Sequence, residues 1–249
     1  MTTPSGPPQP QRLPALPEDF ERVLCVVAHP DDMEYGAAAA VAKWTSQGKS
    51  VSYLLATRGE AGIDGLAPAD AGPLREQEER DGAAVVGVDT VEFLDHSDGI
   101  VEYGLALRRD IAAAIRRHRP DVVMGMNHHE RFGGGFTNQA DHRAVGLATI
   151  DAAKDAGNQW IFPELIEQGL TPWSGVRLVA LAASPSATHF VDVSGHLQAA
   201  IESLRAHAAY LEGLGDAAPD PAEFLTWMAA GAGEPQGVEA AVLFEVFDL

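Results

Sequence analysis

Directly after a run of apolar, largely β-branched residues, Val23–Ala28, the chain places His29, Pro30, Asp31 and Asp32. One imidazole and two adjacent carboxylates are an odd link between two packed elements unless they bind something. A helix cap would use one carboxylate and would need no His-Pro beside it. A catalytic zinc site takes three protein ligands from His, Asp or Glu and keeps one position open for water. His29 and Asp32 are three apart at the mouth of a strand, a spacing that can turn both side chains to one point and leave Asp31 directed elsewhere. The third ligand must come from a distant part of the chain. His142 is the best-placed candidate, because it opens the helix after the fourth strand, and strands one and four commonly adjoin at the switch point of a doubly wound sheet. Such a His₂Asp set suits zinc, and also iron or cobalt.

These residues require a rigid frame, and hydrophobic periodicity supplies one. Strands are expected at Arg22–Ala28, Ser50–Ala56, Val91–Leu94, Val122–Met126, Val176–Ala183 and His189–Val193, with a final edge strand at Val238–Phe247. Helices are expected at Tyr35–Gln47, Leu74–Val86, Leu105–Arg119 (stopped by Pro120), from about Asp141, and at His196–Leu211. Strands alternating with helices of this length predict right-handed βαβ units and a mostly parallel sheet. The polar stretches after the first four strands then open on one rim. The longest of them, Asn127–Ala140, holds His128, His129 and Gly133–Gly135, and a loop of that length is more often functional than structureless.

The totals bound the possible partners. A chain of 249 residues, 46% hydrophobic, can bury one large core, and a single domain over 21–249 is expected after a Pro-rich flexible leader at 1–20. The formal charge of -19 argues against nucleic acid or an anionic membrane surface, both of which require clustered Lys and Arg. A small neutral or cationic molecule fits better, and the sequence carries no code for oligomeric state. The single Cys25 lies within the first strand and suits a core position in a reducing cytoplasm. No signal peptide or membrane span is apparent.

His29-Pro30-Asp31-Asp32-Met33-Glu34 resembles the HPDDxE signature of the LmbE/PIG-L-like zinc-dependent N-acetylglucosaminyl deacetylases, which include enzymes of the mycothiol and bacillithiol pathways. Asp141-His142 resembles the end of the family's second motif, His-Pro-Asp-His. Arg75 and Glu78, and the segment from Ser184-Pro185 to His207, are similar to further family segments, so the likeness spans roughly 22–212. The resemblance implies a Rossmann-like α/β sandwich with a mostly parallel central sheet. It also implies zinc on His29, Asp32 and His142, Asp31 as general base, substrate contacts from Arg75 and Asp98, and removal of an N-acetyl group from an amino sugar or related metabolite.

One position departs from the pattern. Where the family's first His of His-Pro-Asp-His is thought to protonate the leaving amine, this chain has Gln139, followed by Ala140, and an amide cannot serve as a general acid. His128, His129 or a protonated Asp31 would have to act instead, or the chain is a metal-binding member with an altered or absent reaction. A dinucleotide-binding protein is disfavoured, because paired carboxylates in the first turn would repel a pyrophosphate. His96, His118, His196 and His207 read as surface or satisfied core residues, and His189 lies near a family-like segment.

Overall fold

A computed structural model describes residues 12–133, 135–215 and 219–249. Among them seven strands form one sheet: β1 (Arg22–Val27), β2 (Ser50–Leu55), β3 (Thr90–Phe93), β4 (Val122–Met126), β5 (Leu178–Ala182), β6 (His189–Asp192) and β7 (Ala241–Asp248). Their order is β3-β2-β1-β4-β5-β7-β6. The first five pair in parallel, and β7 runs antiparallel to both β5 and β6. This is the expected α/β Rossmann-like sandwich.

The inner strands β4 and β5 are buried at every position, as strands covered on both faces must be. Alternate residues of β1 enter different cores. Cys25 and Val27 join Trp44, Tyr53 and Phe244 on one face, while Leu24 and Val26 join Ile111, Ile115 and Val145 on the other. The first face is covered by α2 (Ala38–Ser46), α7 (Leu197–Arg205) and α9 (Pro221–Gly233), and the second by α4 (Leu105–His118) and α5 (Ala140–Asp155). Because β1 lies between β2 and β4, the strand order reverses there, and the crevice outside the carboxyl ends of β1 and β4 is where an open α/β sheet takes a ligand.

Several boundaries differ from those expected. The helix read as Tyr35–Gln47 is two, α1 (Asp32–Gly36) and α2, because Ala37 takes φ -154° between them. The helix read as Leu74–Val86 begins six residues earlier, as α3 (Pro68–Val85), with Pro73 inside it. Pro68 at the first position has no intrahelical acceptor to lose, whereas Pro73, in the second turn, gives up the bond to the Ala69 carbonyl. The helix read as His196–Leu211 breaks at Ala206-His207 into α7 and α8 (Ala208–Leu214). Helix α9 carries no counterpart in the sequence reading, and short α6 (Glu164–Glu167) completes the set. The last strand is interior rather than at an edge, since β7 inserts between β5 and β6.

Residues 1–11 of the expected leader lie outside the described residues. Residues 12–20 are docked: Leu16 and Phe20 are buried, and Ala15 bridges to Phe190. No helix among the described residues is long and apolar enough to cross a membrane.

The helix that follows β4 approaches that strand closely at Gly146, where an added Cβ would lie 2.5 Å from the Met126 carbonyl oxygen and 3.0 Å from His128 Cβ. Gly146→Ala sets about 0.5–1 kcal/mol of gained helix propensity against an overpacking cost of about 1–3 kcal/mol. Net destabilisation by urea unfolding is the expected result. If His142 is a metal ligand, the same shift of α5 should also weaken metal binding, and a stabilised variant would contradict this account of the contact.

Candidate active site

The turn after β1 is shaped by its own side chains. The Asp32 Oδ2 accepts the backbone N–H groups of Ala28 at 2.9 Å and His29 at 3.0 Å, which folds the chain back and brings the His29 and Asp32 side chains to one side. Asp31, between them, adopts φ 91°, a left-handed conformation that costs a non-glycine residue about 1–3 kcal/mol and persists only where its surroundings demand it. The Asp31 N–H donates to Glu79 Oε2 at 3.1 Å, and its carbonyl accepts from Tyr35 N–H at 3.0 Å.

His142 comes from the first turn of α5 across the β1–β4 boundary. Its Nε2 lies 2.9 Å from Asp32 Oδ1 and 3.2 Å from His29 Nδ1, while His29 Nδ1 lies 3.8 Å from Asp32 Oδ2. The neighbours of the two rings set their tautomers. Asn138 Nδ2 donates to the carbonyls of Asn127 at 2.7 Å and His129 at 2.9 Å, so its Oδ1 faces His142 Nδ1 at 2.9 Å and must accept from it. The opposite nitrogen of neutral His142, Nε2, therefore carries a lone pair. His29 Nε2 faces Asp98 Oδ1 at 3.1 Å and Asp141 Oδ2 at 3.3 Å. Carboxylates only accept, so Nε2 holds a proton and Nδ1 is the nitrogen left free to ligate when the ring is neutral.

Three lone-pair donors thus converge with separations of 2.9–3.8 Å, all on buried residues. Ligands at about 2.0–2.2 Å around a tetrahedral ion lie about 3.3–3.6 Å apart, so the donor set and its spacing fit a divalent metal. The same crowding acts on protons. Burial alone would lower the His29 pKa, yet Asp141, Asp32 and Asp98 raise it well above the ordinary value. Burial would raise Asp32, but His142 and His29 hold it far below the usual carboxylate range.

Asp31 has a different environment. Burial pushes its carboxyl up to about 6, against the pull of Arg75 and with the push of Asp32. Arg75 Nη2 lies 3.2 Å from Asp31 Oδ1 and also donates to the Pro30 carbonyl, and its guanidinium stacks 3.7 Å from the ring of Tyr210 on α8. With Arg75 only 1% exposed, the expected direct substrate contact gives way to a hold on Asp31. Asp98 is likewise turned toward the protein. One oxygen meets His29 and the other accepts from Ala61 N–H at 2.8 Å, so it orients a ring rather than facing a substrate.

The candidates for the missing acid separate from this group. Gln139 is exposed, and its side chain makes no capping bond to α5. His129 is tied to Glu245 on β7 at 2.8 Å, where Ser184 also donates at 2.6 Å, and His128 stacks on His129 at 4.1 Å. His207, read as a surface or satisfied core residue, is fully buried with neither ring nitrogen hydrogen-bonded to a described residue. Sequence reasoning missed Asn138, Glu79 and Tyr210, whose roles come from contacts to other segments. Asp141 could have been found, since it adjoins His142 and its oxygens accept from Gly99 N–H at 2.7 Å and Val101 N–H at 3.1 Å.

Known proteins share this arrangement of elements. The PIG-L family, described as GlcNAc-PI de-N-acetylase, matches residues 24–153. A diacetylchitobiose deacetylase of Thermococcus kodakarensis is 31% identical over 191 residues, which cover 76% of this chain and 70% of that one. A 1D-myo-inositol 2-acetamido-2-deoxy-alpha-D-glucopyranoside deacetylase of Kineococcus radiotolerans is 28% identical over 249 aligned positions, covering 75% of this chain and 68% of the other. The crystal structure of N,N'-diacetylchitobiose deacetylase from Pyrococcus horikoshii superposes with a TM-score of 0.83 over 93% of this chain and 85% of that one, at 23% identity.

If Asn138 sets the His142 tautomer, Asn138→Leu should weaken metal binding about 10- to 100-fold, whereas Asn138→Asp, which keeps an acceptor, should weaken it far less. Chelator competition reads both. Equal affinities for the two variants would remove Asn138 from the account.

Proposed function

This chain belongs to the PIG-L family, and we propose that it is a metal-dependent hydrolase that removes the acetyl group from an N-acetylated amino sugar or a closely related small metabolite. The observation that carries the reading is the convergence of His29 Nδ1, His142 Nε2 and the Asp32 carboxylate on one buried point, each an atom able to give a lone pair to a cation. These three residues would hold zinc, or another divalent transition ion. When bound, such an ion supplies Lewis acidity, lowering the pKa of a water and polarising the acyl carbonyl.

Every other element of the chemistry falls to the chain. Asp31 is the general base: it takes one proton of the attacking water as the oxygen adds to the amide carbon. With Gln139 in place of an imidazole, Asp31 also returns that proton to the amine nitrogen as the C–N bond breaks, giving acetate and the free amino sugar. A carboxyl raised to about 6 suits both duties, since it is ionised at neutral pH yet basic enough to accept a proton. Arg75 anchors the Asp31 carboxylate, and Asp98 and Asp141 fix the ring of His29. The acidity of the chain fits a neutral or cationic small molecule, and the lone buried Cys25 fits the cytoplasm.

A second reading, a metal-binding member that has changed or lost its reaction, is favoured by the exposed Gln139 alone. Elemental analysis of the purified protein, with acetate release from diacetylchitobiose and other N-acetylglucosamine conjugates, separates the two. The hydrolase reading expects one ion per chain and chelator-sensitive acetate. Asp31→Asn should keep the ion and lose at least about 100-fold in kcat, and His142→Ala should lose the ion. Metal without acetate from any conjugate would favour the second reading, and a fully active Asp31→Asn would remove Asp31 from both duties.

A further inference from the structure

Behind the Asp31 turn lies a polar cluster that none of the roles above uses. Glu34 on α1, Glu79 on α3 and His207 at the start of α8 are each at most 1% exposed. His207 Nε2 lies 3.7 Å from Glu34 Oε2 and 3.8 Å from Glu79 Oε2, and Ser203 Oγ donates to Glu34 Oε1 at 2.9 Å. Gly82 leaves room for the group: a Cβ there would come within 3.1 Å of His207 Nε2 and 3.3 Å of Glu34 Oε1. Three separate helices thus meet on buried ionisable groups, which natural cores avoid unless something depends on the arrangement.

What depends on it is one peptide unit. The Pro30 carbonyl accepts from Arg75, and the N–H of the same peptide, that of Asp31, donates to Glu79 at 3.1 Å. Arg75 and Glu79 are four apart on α3, so they project from one face of the helix. Both ends of the Pro30–Asp31 peptide are therefore gripped by a single helix. That grip sets the plane of the peptide, and with it the left-handed backbone from which the Asp31 carboxylate is aimed.

We propose that Glu79 is a positioning residue for the Asp31 base, with Glu34 and His207 packed behind it. The proposal rests on Asp31 being the base. The described contacts of Glu79 are to the Asp31 N–H and His207 and not to His29, Asp32 or His142, so its loss misplaces Asp31 without removing a ligand. A displacement of about 1 Å at a catalytic group is worth up to about 100-fold in rate.

The test uses the metal-loaded protein with an N-acetylglucosamine conjugate. Glu79→Met keeps the side-chain volume and removes the acceptor; Glu79→Asp keeps the carboxyl group and withdraws it by one methylene; Glu79→Gln keeps an oxygen within reach of the Asp31 N–H. Expected are a 10- to 100-fold fall in kcat for Glu79→Met and Glu79→Asp, with KM within about twofold and one ion per chain retained, and recovery to within about threefold of wild type for Glu79→Gln. A variant that only loosened the fold would lower soluble yield and metal content without this split or this rescue.

Should Glu79→Met fail to fold, Glu79→Asp set against Glu79→Gln carries the comparison. Wild-type kcat in Glu79→Asp overturns the proposal, as does a loss that tracks metal content. Two ions per chain, one of them lost in His207→Phe, would also overturn it by making the cluster a metal site. Asp31→Asn run in parallel keeps the two readings apart. If it stays active, the base assignment fails; if it is inactive while Glu79→Asp is unimpaired, only the role of Glu79 fails.

Discussion

The Asp32 carboxylate joins the fold of this protein to its chemistry. One oxygen accepts the Ala28 and His29 N–H groups as β1 ends, and the other lies against His142. The first contact is local and would form in any chain with this turn. The second is possible only because β1 and β4 are neighbours, so that the helix following β4 begins beside the turn following β1. An asparagine could accept the same N–H groups but would bring a neutral amide to a place that demands a negative donor. If Asp32 ligates a metal, as proposed, local geometry and metal chemistry constrain this residue in the same direction.

The surrounding charge is arranged so that a cation completes it. Asp31, Asp32, Glu34, Glu79, Asp98 and Asp141 gather about the two strand ends, and Arg75 is the permanent cation set among them. Each carboxylate is given an N–H or an imidazole to work on: Asp141 holds two amides of the loop after β3, Asp98 one amide of the loop after β2, and both hold His29. Loops from four parallel strands are thus tied to a single ring. This preorganisation lets three donors face one another across about 3 Å, an arrangement mutually repulsive without a cation. On the proposed reading, part of the chain's negative charge serves the site and is not simply a solubility feature.

Much of this was legible in sequence, and what was not has a common cause. The apolar run before His29 and the three-residue spacing to Asp32 are local signals, and the βαβ alternation places His142 beside them; the structure brings all three together. Arg75 was legible as a member of the site but not in its direction, because nothing in a helical charge pattern reports that its guanidinium turns inward onto Asp31 and Tyr210. Asn138 acts through an amide whose orientation is set by two backbone carbonyls, and such contacts have no spacing rule. The interior place of β7 was hidden for a related reason. Its burial is partial along most of its length, the pattern of an edge strand, although it has neighbours on both sides.

The replacement at Gln139 sharpens what the buried turn must do. An enzyme with a separate acid can use an ordinary carboxylate as base and let it drift, since the returning proton comes from elsewhere. A single carboxyl that both takes and returns the proton has to be correctly aimed twice, toward the water oxygen and then toward the amine nitrogen, and must hold the proton between the two steps. Burial raises its basicity for that purpose, but burial also removes the water that could correct a misaligned group. With Asp31 in the proposed double role, the stricter positional demand would fall on the Pro30–Asp31 peptide, whose carbonyl α3 holds with Arg75 and whose N–H it holds with Glu79.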